Sequence, residues 1–99
     1  MMYRIEYLAT FHSDIAQVAA GLEEYPLMAA RIFAKMDKIL GTLVFMPEMF
    51  PIYDNFPIFR KIVIEDYLLF YTFNKTKGLI EIHRLLYSRM DIPRHLTNF

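Results

Sequence analysis

Two tight turns divide the last third of the sequence into three apolar runs, and that division constrains the fold more than any other feature. The runs are Ile58 to Ile64, Tyr67 to Asn74 and Leu79 to Tyr87, separated by "ED" and "NKTKG", where Gly78 is free to take positive φ. Parallel strands need a crossover of a dozen residues or more, so connections this short return the chain antiparallel to itself. The expectation is an antiparallel meander. Its middle run, "YLLFYTF", is apolar almost without interruption, as a strand covered on both faces would be.

Ahead of the meander the period of the apolar residues changes twice. In "YRIEYL", Tyr3, Ile5 and Tyr7 alternate with Arg4 and Glu6, which predicts a first strand with one face toward a core. From Phe11 the spacing is helical, through Ile15, Val18, Ala19 and Leu22, with Thr10 or Ser13 as N-cap and Pro26 closing the segment. A second helix puts Met28, Ile32, Phe33, Met36, Ile39, Leu40 and Leu43 on one face, and the short link at Pro26 predicts a helical hairpin. Arg31, Lys35 and Lys38 align on its far face, read as a solvated surface or else as a docking stripe.

Between the second helix and the meander lies "VFMPEMFPIYDNFP", with Pro47, Pro51 and Pro57. Three prolines prevent regular helix, and so apolar a loop either tucks under the sheet as a satellite cluster or forms an exposed sticky patch. The order β-α-α-β-β-β gives an α+β fold, a helical hairpin packed on a small, mainly antiparallel sheet. With 99 residues the chain has room for one core, so 1–99 is read as one domain.

Composition then limits the function. Residues of hydrophobic type make up 56% of the chain, with 9 Phe, 7 Tyr and 7 Met, more than so small an interior hides, so part of that surface is expected to meet a partner. Acidic and basic residues each number 11, and zero net charge argues against sequence-independent grip on a phosphate backbone. The absence of cysteine excludes disulfides, thiolate metal sites and a cysteine nucleophile. The opening "MMYRIEYLATFHSD" reads as neither signal peptide nor membrane anchor, which predicts a cytoplasmic protein without membrane contact.

Motifs of known chemistry are missing. His12, His83 and His95 stand at no metal-ligand spacing, and three glycines build neither a P-loop nor a dinucleotide fingerprint. Ser13 and Ser88 have no nucleophile elbow around them. No metal and no cofactor are expected. What remains is a polar set on the sheet and just beyond it: Arg60, His83, Arg84, Arg89 and Asp91. Alternation puts Arg60 with Ile58, Ile62 and Ile64, and Arg84 with Ile80, Ile82 and Leu86. Each guanidinium interrupts an apolar row and needs a partner, a carboxylate such as Glu81 or Asp91.

This element order, with an arginine in the second strand, "YLLFY" in the third and the ending "EIHRLLYSRMDIPRHL", resembles the RelE/ParE superfamily of type II toxin-antitoxin toxins. The stretch "FRKIVIEDYLLFYTFNKTKGLIEIHRLLYSRMDI" is most similar to the ParE branch, with matches at Arg60, Tyr67, Tyr71, Ile82, Arg84, Arg89, Asp91 and Ile92. Tyr87 stands where that branch commonly has a histidine. RelE-like members cut mRNA in the ribosome by attack of a 2′-hydroxyl on the adjacent phosphate, which needs phosphate-holding cations and an acid/base pair. They commonly carry an arginine within the third strand, where this chain has Leu68. ParE-like members instead poison DNA gyrase without catalytic groups.

The resemblance therefore implies a ParE-like toxin that binds and inhibits DNA gyrase and is neutralised by a cognate antitoxin, as a homodimer or a toxin-antitoxin hetero-oligomer. Target contacts are expected at Arg89, Asp91, Arg94 and His95, with Arg60 and Arg84 supporting the sheet beneath. The antitoxin is expected on the hairpin and the Phe45 to Phe59 loop, at Met28, Phe45, Met46, Met49, Phe50 and Phe56. Two alternatives stand beside it: an mRNA endonuclease acting on the ribosome through Tyr87, Arg89, His95 and His83, and a non-toxic relic of the toxin fold that only binds a partner.

Overall fold

The computed structural model describes residues 2–96. A first strand, β1 (Arg4–Tyr7), leads into α1 (Ala9–Gly21) and α2 (Pro26–Leu43), and the meander follows as β2 (Arg60–Ile64), β3 (Tyr67–Asn74) and β4 (Leu79–Tyr87). The sheet order is β1-β4-β3-β2. β1 runs parallel to β4, and the other two pairings are antiparallel. A short helix not anticipated from the sequence, α3 (Ile92–Leu96), ends the described chain.

The hairpin forms as its residues dictate. α1 ends where the Leu22 N–H returns to the Val18 and Ala19 carbonyls. α2 starts with Pro26 in its first turn, where the missing N–H removes no helical bond. Neither Thr10 nor Ser13 caps α1: the helix begins earlier, with Leu8 at the N-cap and no side-chain cap bond. Thr10 has another role, donating its hydroxyl to the His83 carbonyl at 2.7 Å. In α2 the buried positions are Ile32, Met36, Leu40 and Leu43, whereas Met28, expected on the same face, is exposed near the turn that joins the two helices.

The main core lies between hairpin and sheet, where Phe11, Val18 and the buried α2 residues meet Ile62, Ile64, Leu69, Tyr71, Ile80 and Ile82. A second cluster fills the opposite sheet face: Phe59, Phe70 and Leu86 under Ile92 and Leu96 of α3. β3 is covered on both sides, with Leu69, Phe70 and Tyr71 fully buried. β2 is shorter than expected. It starts at Arg60, and Ile58 is exposed outside it because Phe59 turns inward to the second cluster.

One irregularity in β4 decides how the sheet's polar residues are aimed. Phe70 stands opposite Arg84 but Tyr71 stands opposite Ile82, so His83 is an extra residue, a β-bulge. An extra residue reverses the alternation beyond it. Ile80 and Ile82 face the hairpin core and so does Leu85, whereas Leu86 belongs to the second cluster. Arg84 falls with Leu86, on the side that α3 covers, and not in one row with Ile80 and Ile82 as strict alternation implied.

The proline-rich loop takes both of the forms open to it. Its first half is tied down through backbone carbonyls: Tyr71 donates its hydroxyl to the Pro47 carbonyl at 2.6 Å, and Arg60 donates from Nη1 to the Phe50 and Glu48 carbonyls at 2.7 and 3.2 Å. Phe45, Met46 and Met49 stay exposed there. Its second half folds inward, Phe59 fully buried and Tyr53 and Phe56 packed on the second cluster.

Candidate functional site

β1 pairs with β4 only as far as Tyr7 opposite Ile82, so the last part of β4 would present an open edge. The start of α1 closes that edge, with the backbone N–H of its N-cap residue and with two side chains. The Leu8 N–H reaches the Ile82 carbonyl at 3.0 Å, Thr10 takes the His83 carbonyl, and the Asp14 carboxylate accepts from the Leu85 N–H at 3.0 Å. A helix thus satisfies backbone groups that a neighbouring strand would otherwise pair.

Asp14 is the centre of this arrangement. It is 5% exposed, and a carboxylate so deep is stable only when paired and hydrogen-bonded. Arg84 meets it as a fork, Nε to Oδ2 at 2.8 Å and Nη2 to Oδ1 at 2.9 Å, the bidentate geometry that makes such pairs strong. The hydrogen bonds to Asp14 push the Arg84 pKa above its ordinary value despite burial. The remaining arm, Nη1, donates to the His95 carbonyl of α3 at 3.0 Å. One guanidinium therefore joins α1, β4 and α3. Neither Glu81 nor Asp91 is its partner.

Beside the pair opens a cleft of about 260 Å³, lined on α1 by Asp14 and Gln17, on the sheet by Tyr67, Arg84 and Tyr87, and at the tail by Met90 and His95. Tyr67 and Tyr87 meet edge to face, 5.8 Å between ring centroids. Burial, with Tyr87 and Asp66 nearby, raises the Tyr67 pKa above its ordinary value, which makes its hydroxyl a weaker acid. Next to the cleft Arg89, Asp91 and Arg94 are exposed, so the four residues expected to meet a target, with His95, lie on one surface-facing segment.

The structure separates other residues that sequence reasoning grouped. His83 does not line the cleft with Tyr87 and His95. Its Nε2 pairs with the Thr72 hydroxyl at 3.0 Å, its ring stands edge-on to Phe59, 5.0 Å between centroids, and burial lowers its pKa below the ordinary 6.5. Arg60 is held by loop carbonyls and lies over the Phe73 ring at 5.4 Å. Of the six residues expected to meet an antitoxin, Met28, Phe45, Met46 and Met49 are exposed, while Phe50 and Phe56 are half-buried against the two cores. Among the described residues no group of three His, Asp or Glu side chains could hold a metal ion, and no helix is long and apolar enough to cross a membrane.

The residue missed by sequence reasoning is Asp14, and it left a signal. It stands three residues after Phe11 and four before Val18, inside the helical stripe that faces the core. An aspartate there must have a buried cation, and Arg84, the basic residue within the most apolar strand end, was available.

A hairpin on one sheet face, a loop-and-helix cover on the other and a polar staple at the end of β4 define a small α+β fold. Residues 5–92 match the family described as ParE toxin of type II toxin-antitoxin system, parDE; the chain belongs to this family, the ParE branch of the RelE/ParE superfamily. It is therefore a toxin of a type II toxin-antitoxin system, and the family implies an antitoxin partner. No curated protein matches the chain.

Proposed function

We propose that this toxin arrests growth by binding and inhibiting DNA gyrase in the cytoplasm, with Arg89, Asp91, Arg94 and His95 as its target-contacting surface. The observation that carries this reading is that Arg60 and Arg84, the two arginines set among the sheet's apolar rows, are both held by partners within the fold. Arg84 is spent on Asp14 and a helix carbonyl, and Arg60 on two loop carbonyls. Leu68, at the position where RNA-cleaving members commonly have arginine, packs against the second cluster. Cleavage of RNA needs a cation for the phosphate and a matched acid and base, whereas inhibition by binding needs a shaped, charged surface.

The antitoxin, in this reading, covers the exposed apolar residues Met28, Phe45, Met46 and Met49, which are large and unbranched or aromatic, as interface residues tend to be. A second reading, mRNA cleavage on the ribosome, draws on one observation, that Tyr87 and His95 line the same cleft.

Incorporation of labelled thymidine and labelled methionine, followed in the minutes after induction without antitoxin, separates the two. The gyrase reading expects thymidine incorporation to fall first. Early loss of methionine incorporation overturns it in favour of the nuclease, and no arrest of either would leave a partner-binding relic.

A further inference from the structure

Arg84 holds α3 through a backbone carbonyl and is itself held by Asp14, so the placement of the tail depends on a residue of the first helix 70 positions away in sequence. α3 is only five residues long, too short to be stable as a helix by itself. It is fixed by two apolar side chains, Ile92 and Leu96 in the second cluster, and by the Arg84 bond to His95. Apolar contacts are non-directional and constrain its depth more than its rotation against β4. The hydrogen bond is directional, and its donor cannot swivel, because the fork on Asp14 fixes the guanidinium plane. The Leu85 N–H fixes the carboxylate in turn.

We infer that the Asp14–Arg84 pair is a positioning latch, which orients α3 and thereby the Arg89 to His95 surface toward the target; the inference rests on the reading that this surface contacts the target. Asp14 and Arg84 touch no target themselves. Their effect passes through the His95 carbonyl. Asp14→Asn keeps an acceptor for Leu85 and nearly the same volume, but the neutral amide cannot receive both arms of the fork. Arg84→Lys keeps the charge beside Asp14, but a single ammonium cannot reach the carboxylate in bidentate form and the His95 carbonyl together.

The test is amide hydrogen exchange of the full-length protein, with toxicity scored on the same variants. Both substitutions should speed exchange in the peptide spanning residues 88–96 on the order of tenfold, the loss of a hydrogen bond to a charged group, while β3 amides stay protected. Both should also lower toxicity while binding to the antitoxin persists. Unchanged exchange in the tail overturns the latch, whatever the target is. Tail exchange that rises no more than that of β3 also overturns it, because the pair then acts through global stability alone. A loosened tail with full toxicity contradicts the reading of this surface as the target contact.

Discussion

Two arginines on the sheet solve the same problem in different ways. Arg60 and Arg84 each bring a guanidinium into an apolar neighbourhood, and each donates to carbonyls that regular secondary structure leaves over. Arg60 meets loop carbonyls and an aromatic ring at the start of edge strand β2. Arg84 also neutralises a buried carboxylate. The difference teaches what each removal leaves behind. Without Arg60 the loop carbonyls turn toward water, whereas without Arg84 a charge stays stranded beneath α1.

The comparison can be broken by substitution. Arg84→Ala should destabilise by about 3–5 kcal/mol, the usual consequence of leaving a buried charge unpaired, as measured by urea unfolding. Against a total of roughly 5–15 kcal/mol for a domain, that is enough to reduce the folded population markedly. Arg60→Ala should lower stability by about 1.5–3 kcal/mol, the range for hydrogen bonds to a charged group. Equal losses at the two sites would contradict the asymmetry.

Next in size is Tyr71→Phe, which removes the hydroxyl bond to Pro47 and should lower stability by about 1 kcal/mol. It tests the loop side of the comparison without touching a charge. Smallest is Lys35→Ala. The Lys35–Glu65 pair is 3.4 Å apart and half exposed, so its loss should change stability by less than about 0.5 kcal/mol.

A pH experiment sharpens the same contrast. Burial lowers the His83 pKa below 6.5 in the folded state, so on acidification the unfolded chain binds the proton first. Stability should therefore decline as pH falls below about 6.5. In His83→Gln that part of the decline should be absent; an unaltered pH profile would place the sensitive group elsewhere.

Much of this architecture was legible in the sequence because turns and periodicity are local signals. "ED" and "NKTKG" fixed the meander, and Gly78 does take positive φ, at 61°. Glu65 in the tighter turn also lies there, at 52°, a conformation uncommon for a residue other than glycine. The helical hairpin and the doubly covered β3 were equally readable. The bulge at His83 was not, since one extra residue leaves no compositional trace yet reverses every side chain after it. That reversal puts Arg84 in the row of Leu86 and brings it to Asp14, where strict alternation points to the row of Ile80 and Ile82.

Asp14 was legible in principle, as a charge within an apolar stripe, but its partner lies 70 residues away and no local rule connects them. α3 was also signalled locally, by Asp91 ahead of Ile92 and Pro93. Its polar look hid two buried anchors, Ile92 and Leu96. The loop's division into an exposed half and a buried half depended on Tyr71 and Arg60, both outside the loop.

The most direct test of the central claim is DNA supercoiling by purified gyrase in the presence of the purified toxin. The wild-type protein should block supercoiling, Arg89→Ala should fail to do so while remaining folded and bound by antitoxin, and added antitoxin should restore activity. Full supercoiling at saturating toxin, with mRNA cleaved on translating ribosomes, would contradict that claim.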